Sequence, residues 1–249
     1  MIERLIEFYH RCREGSESTM SEVWSGVFRN HHLNLSDSLS SGDAKRTLEI
    51  LSQMGSSGDL WGLDNPRMVA DDSELALGLL TGLARMTGVV PYHNPEQPNG
   101  VPSYSAEALR GMVESEMGIQ LTCPDYFGLG AGGGVPLRLY MAMAGAYVAK
   151  RPFRGAIPDR ILEIGGGTGL FAMIAWRWGS RSYTVIDLPL VAIMSAYFLS
   201  QSCGESGIWM WGEPPNDSSF ARYYPSNHFE CLSESPGKYD LVYNQDSFP

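Results

Sequence analysis

Residues 161–171 read Ile-Leu-Glu-Ile-Gly-Gly-Gly-Thr-Gly-Leu-Phe, a short apolar run that meets four glycines within five positions before apolar residues resume. Glycine at this density lets a backbone turn sharply and approach a ligand closely. The pattern predicts a buried strand at 160–164 and a helix at 168–178. A strand, a glycine loop and a helix in this order direct backbone N–H groups and the positive end of the helix toward a ligand.

Strand and helix patterns alternate in the rest of the chain after the loop. Strands are predicted at 182–187, 208–211, 221–224 and 239–243, with a helix at 190–203. Such alternation is typical of a parallel sheet with right-handed crossovers. Residues 1–150 are predicted to be mostly helical, with helices at 1–14, 43–54, 72–87, 105–117 and 136–150. The predicted fold class is therefore α/β, a Rossmann-like sheet preceded by a helical region.

Glu163 and the residue at position 170 distinguish the loop from a dinucleotide-binding one. Glu163 lies inside the first predicted strand and Asp187 ends the second, while Leu170 stands where the dinucleotide fingerprint has its third glycine. An acid at the end of the second strand can accept hydrogen bonds from both ribose hydroxyls of an adenosine. Leu188 would then offer an apolar surface to the adenine. A second glycine loop, at 128–133, matches GxGxxG but has no strand before it.

The overall composition excludes several classes of function. The chain has 249 residues and a net charge of −10, which argues against nucleic acid or an anionic membrane as a partner. Its 4 cysteines are far apart, which predicts no zinc site and indicates reduced thiols in the cytoplasm. The N-terminal residues do not read as a signal peptide, and the apolar stretch at 137–148 is too short to span a bilayer.

Three motifs carry a resemblance to a known family. Residues 161–170 together with 183–189 resemble the cofactor half of a class I S-adenosylmethionine-dependent methyltransferase. More narrowly, residues 162–169, 185–189 and 240–249 resemble the sugar O-methyltransferase family. The resemblance implies S-adenosylmethionine as cofactor and a small-molecule acceptor, a hydroxyl of a sugar or glycosylated compound. It also implies that 151–249 is the N-terminal half of the methyltransferase domain and that 1–150 binds substrate, acts as a lid or mediates homo-oligomerisation.

The same resemblance implies roles for individual residues. The methionine part of the cofactor would be surrounded by Glu163 and by the loop glycines Gly165, Gly166, Gly167 and Gly169. Asp187 would hold the ribose, Leu188 would flank the adenine, and Asn244 would lie near the transferred methyl group.

A sugar hydroxyl is a weak nucleophile, so a general base is expected. Asp246 and His228 are the candidates, although Asp246 could instead cap a helix and His228 could line the adenine side. The adjacent pair His31 and His32 is a further candidate. Because neighbouring side chains point in different directions, that pair does not predict a metal site.

Two other functions fit parts of the pattern. One is an NAD(P)- or flavin-dependent oxidoreductase on a similar sheet, and the other is a non-catalytic binding protein on a degraded methyltransferase fold. The chain stops at Pro249 inside its third motif, which favours a fragment whose parent transfers methyl groups while this chain alone does not. The alternative is a natural short form that binds the cofactor poorly or binds something else. A sheet that stops there would expose its last strand, so self-association is also predicted.

Overall fold

The computed structural model describes residues 1–13, 32–53, 69–70, 74–89, 106–118, 135–226 and 238–244. Its helices are α1 (Ile2–Arg13), α2 (Leu33–Ser41), α3 (Ala44–Ser52), α4 (Glu74–Met86), α5 (Ala106–Met117), α6 (Leu137–Lys150), α7 (Leu170–Arg177) and α8 (Pro189–Cys203). Its strands are β1 (Val69–Ala70), β2 (Val135–Pro136), β3 (Arg160–Ile164), β4 (Ser182–Asp187), β5 (Ile208–Met210), β6 (Ala221–Pro225) and β7 (Leu241–Asn244).

The main sheet has five parallel strands in the order β5-β6-β4-β3-β7. From β3 the chain proceeds to β4 on one side, whereas β7 lies on the other side of β3. The strand order therefore reverses at β3, and the crevice outside the carboxyl ends of strands at such a point is the usual ligand site of α/β sheets. The predicted α/β class is confirmed. The sequence does not specify the positions of the two short strands β5 and β6 in the sheet. In the structure, β5 is the outermost strand and β6 lies between it and β4.

One face of the sheet is covered by α7 and α8. Ile161, Tyr183, Val185 and Tyr223 point into this layer and belong to the main hydrophobic cluster. Helix α8 is apolar on nearly all sides because it packs against the sheet on one side and against α1 on the other. Helix α6 packs beside α7, so the N-terminal helices and the sheet share one core.

Helix α1 secures the outer edge of the sheet. The Arg4 guanidinium donates to both carboxylate oxygens of Glu213, at 2.7 and 2.8 Å, and to the Ile208 carbonyl at 2.7 Å. Arg11 Nε donates to the Trp211 carbonyl at 3.2 Å. These bonds hold β5 and the turn after it against the first helix of the chain.

The other edge of the sheet is β7, which is paired with β3 alone among the described strands. Val242 is 60% exposed there. A groove of about 510 Å³ runs between α6 and β7, and its lining is almost entirely apolar. The lining residues are Met141, Ala144, Gly145, Val148, Ala149, Pro152, Leu241 and Tyr243. None of the helices described above has the length and hydrophobicity needed to cross a bilayer.

Candidate functional site

The loop between β3 and α7 needs glycine at alternate positions for its backbone shape. Gly165, Gly167 and Gly169 have φ angles of +75°, +53° and +78°, a region that residues with a Cβ rarely adopt. The Gly165 amide donates to the Ile186 carbonyl at 2.7 Å, which joins the start of the loop to β4. The third of these glycines is the N-cap of α7, so the helix begins at Leu170 rather than at 168 as predicted.

Close packing explains glycine at a further loop position. A Cβ on Gly166 would lie 2.7 Å from Val185 Cγ1. A Cβ on Gly169 would lie 2.5 Å from Ser195 Oγ, which is itself hydrogen-bonded to the Tyr223 hydroxyl at 2.8 Å. The loop therefore rests directly on β4 and α8, without room for a side chain between them.

Asp187 ties the end of β4 to the loop. One of its carboxylate oxygens accepts from the Gly167 amide at 2.9 Å, and the other accepts from the Leu188 amide at 2.7 Å. The residue is 8% exposed. Each carboxylate oxygen has a second lone pair, so both can still accept a hydrogen bond from a ligand hydroxyl.

Glu163 lies beneath the loop. It is 3% exposed and accepts a hydrogen bond from the Tyr183 hydroxyl at 2.8 Å. A Cβ on Gly166 would lie 3.1 Å from Glu163 Oε2, which shows how closely the carboxyl group approaches the loop backbone. Strand alternation puts Glu163 on the same sheet face as Ile161, the face that the helices cover.

Both carboxyl groups resist ionisation. Burial raises the pKa of Glu163 to about 8, the hydrogen bond from Tyr183 counteracts this in part, and the charge of Asp187 adds to it. Burial likewise raises the pKa of Asp187 to about 7, against the backbone N–H groups of Leu188, Gly167 and Gly166. No lysine, arginine or histidine of the described segments forms an ion pair with either group. A positively charged ligand would thus be favoured here and an anionic pyrophosphate disfavoured.

The remaining predicted residues divide into two groups. Leu188 is the half-buried N-cap of α8, and Asn244 pairs in register with Ile164 at the carboxyl end of β7, beside the loop. The structure therefore brings together every predicted cofactor-binding residue. Asp246, His228 and His31 lie outside the described residues, as do the loop at 128–133 and residues 245–249.

Sequence reasoning missed Tyr183 and Ser195. Tyr183 donates a side-chain hydrogen bond to Glu163, and Ser195 limits the space around Gly169. A signal for the first was present, because an acid inside a buried strand requires a polar partner, and Tyr183 is the hydroxyl-bearing residue on the same face of the adjacent strand.

Comparison with known proteins gives one short similarity. The chain is 42% identical over 38 residues to ribosomal protein L11 methyltransferase from Shouchella clausii (strain KSM-K16). The aligned part is 15% of this chain and 12% of that relative, so the chain spans about an eighth of the relative's length. No family model and no solved structure matches the chain. The fold, an α/β fold with a five-stranded parallel sheet and helices, is consistent with a Rossmann-like methyltransferase.

Proposed function

We propose that the chain binds S-adenosylmethionine at the β3–α7 loop and provides the cofactor-binding part of a methyltransferase. The observation that carries the proposal is the bond from the Gly167 amide to Asp187, which makes the glycine loop and the ribose-binding acid one unit at the strand reversal. The short similarity to a ribosomal protein methyltransferase supports the same class of reaction.

The residues present fit this cofactor. Asp187 has acceptor capacity for ribose hydroxyls, and Leu188 follows it with an apolar side chain on which an adenine can rest. The buried carboxyl groups of Glu163 and Asp187 suit the ammonium and sulfonium charges of S-adenosylmethionine. Asp187 would also suit the ribose of NAD, but Glu163 lies against the loop backbone, where the pyrophosphate of NAD(P) or of a flavin dinucleotide would come close to its carboxyl group. The oxidoreductase alternative is therefore the weaker one.

When bound, S-adenosylmethionine supplies an electrophilic methyl group on a sulfonium sulfur. The contribution of this chain is alignment, because a displacement at carbon needs nucleophile, methyl and sulfur in line. The loop glycines and Glu163 would hold the methionine part, and Asn244 would lie near the methyl group. We propose that the acceptor is a hydroxyl of a sugar or glycosylated small molecule, on the strength of the motif resemblance, with Asp246 or His228 as general base.

Binding can be tested by isothermal titration calorimetry with S-adenosylhomocysteine and with NAD. We expect saturable binding of S-adenosylhomocysteine, no binding of NAD, and an affinity at least about tenfold weaker in Asp187→Asn. Binding of NAD in preference to S-adenosylhomocysteine would contradict the proposal in favour of the oxidoreductase. Binding of neither would favour the non-catalytic alternative.

The acceptor needs a separate assay. Transfer of a labelled methyl group can be measured, with this chain and with any longer protein that contains it, to a panel of sugars and glycosides and to ribosomal protein L11. Label on the carbohydrates would support a hydroxyl acceptor, and label on the protein alone would contradict it. Asp246→Asn and His228→Ala should lower transfer without changing the affinity for S-adenosylhomocysteine, provided that the residue concerned is the base.

A further inference from the structure

Glu163 and Asp187 form a buried acidic pair, and within the described part of the chain the titratable side chains that interact with the pair or with its hydrogen-bond partner are tyrosines. Tyr183 donates to Glu163 from β4, at 2.8 Å. Burial raises the pKa of Tyr223 of β6, and the charges of both carboxyl groups raise it further. Burial also raises the pKa of Tyr183, and Tyr243 of β7 lies close enough to add to this electrostatically. Each of these tyrosines is neutral at ordinary pH, so none compensates a negative charge on the pair.

A buried carboxylate without a counter-charge is costly, and the usual outcome is that the group retains a proton. Near neutral pH the pair is therefore expected to retain a proton unless a positive charge comes near it. The glycine loop, whose backbone at 166 lies against Glu163, is the route by which such a charge would approach. Asp187 reaches the same loop through the Gly167 amide.

We propose that Glu163, Asp187 and Tyr183 form a charge-selecting unit, which holds a proton while the site is empty and releases it to solvent when a cationic ligand binds. The inference rests on the proposed function, since it concerns the same loop. Glu163 then has two roles, as the charged group that favours a cationic ligand and as a support for the loop backbone. Tyr183 is a positioning residue that acts through its hydrogen bond to Glu163.

The unit would distinguish the substrate form of the cofactor from its product form. S-adenosylmethionine carries one positive charge more than S-adenosylhomocysteine, because the sulfonium becomes a neutral thioether after transfer. Binding of the more positive ligand should therefore release more protons per molecule bound. Affinity for S-adenosylmethionine should accordingly rise with pH up to about 8, where Glu163 loses its proton in the empty site. Affinity for S-adenosylhomocysteine should change less.

Tyr183 and Tyr223 provide a matched pair of variants. Both side chains are fully buried, and both hydroxyl groups take part in a hydrogen bond of 2.8 Å, but only that of Tyr183 is to Glu163. Tyr183→Phe removes a bond that favours the charged form of Glu163, so ionisation of Glu163 should need a higher pH. Tyr223→Phe removes a hydroxyl of the same kind from the same core without touching Glu163.

The test is calorimetry of both ligands in buffers of low and high ionisation enthalpy, which yields the number of protons released, repeated from pH 6 to 9. We expect more protons released with S-adenosylmethionine than with S-adenosylhomocysteine, and no such difference in Glu163→Gln. Tyr183→Phe should shift the pH dependence of S-adenosylmethionine affinity upward by about one pH unit. Tyr223→Phe should leave this pH dependence unchanged.

Some outcomes would contradict the charge-selecting unit alone, and another would also contradict the proposed function. Equal proton release with the two ligands, or identical pH profiles for the Tyr183→Phe and Tyr223→Phe variants, would overturn the charge-selecting unit while leaving the cofactor assignment intact. Failure of both ligands to bind would overturn the proposed function and this inference with it.

Discussion

Replacing Gly169 by alanine should destabilise the fold through two separable effects. The first is the backbone, because a Cβ at φ +78° costs about 1–2 kcal/mol. The second is the 2.5 Å approach of the new Cβ to Ser195 Oγ. Relief requires Ser195 to rotate, which breaks its hydrogen bond to Tyr223 and leaves a buried hydroxyl without a partner, at a cost of about 1–3 kcal/mol.

Alanine also restricts the unfolded chain, which offsets about 0.4–1 kcal/mol of these costs. The net loss in the free energy of unfolding is then about 1–4 kcal/mol, measured by urea denaturation. Gly167→Ala is the matched control, because Gly167 also has a positive φ but nothing lies within 4 Å of its added Cβ. Its cost should be about 1 kcal/mol or less.

A double-mutant cycle with Ser195→Ala isolates the packing part. Alone, Ser195→Ala should cost about 1–3 kcal/mol, since it also leaves the Tyr223 hydroxyl unpaired. In the Gly169→Ala background that bond is already broken, so the same change should cost close to nothing. Additive effects, or equal costs for Gly167→Ala and Gly169→Ala, would refute the reasoning that loop and α8 are packed without spare room.

Asp187→Ala should lower the free energy of unfolding as well as ligand affinity, because two backbone N–H groups lose their acceptor. Thermal denaturation without ligand would detect this. An unchanged midpoint would show that the hydrogen bonds accepted by Asp187 do not stabilise the fold. Since burial raises the pKa of Glu163 to about 8, the folded chain binds a proton that the unfolded chain has lost, so stability should fall as pH rises from about 5 to 8. Glu163→Gln should flatten that fall in urea titrations, and a slope as steep as that of the parent chain would count against it. Arg4→Ala breaks the paired bonds to Glu213 and should cost about 1–2 kcal/mol of unfolding free energy, less than a buried pair because Arg4 is partly exposed. Val242→Lys places a charge on the exposed strand β7 and should reduce the self-association that light scattering measures at high protein concentration; a parent chain that stays monomeric would contradict the expectation.

Local sequence patterns predicted the elements that form the site. The strands at 160–164 and 182–187 have the predicted bounds because each is an apolar run closed by a turn or by Leu188-Pro189. Helix α3, predicted at 43–54, begins after Asp43, whose side chain caps it by accepting from the Arg46 amide at 3.0 Å. Glycine spacing and the acids at 163 and 187 located the loop and its supports.

Features that depend on distant contacts could not be read in the same way. Helix α2 was missed because five of its nine residues are serine or aspartate, which favour turns. Contacts with other helices stabilise it, namely the burial of Leu35 and Leu39 and the hydrogen bonds of Ser36 to Tyr9 and of Ser38 to Thr47. The outermost place of β5 depends on Arg4, which donates to the Ile208 carbonyl across 204 residues of sequence and also binds Glu213 in the turn after the strand. The bond between Tyr183 and Glu163 joins different strands. The buried acid predicts a polar partner, but which residue supplies it depends on the register between β3 and β4.

The contacts of α1 bear on the order in which the chain can fold. Arg4 meets its partners at 208 and 213 across sequence separations of 204 and 209 residues. At synthesis rates of about 5–20 residues per second, the first helix emerges roughly 10–40 seconds before the residues it must hold. During that interval its apolar face, with Leu5 and Phe8, has none of its later partners on α8. Completion of this sheet edge is therefore expected among the late folding steps of the chain.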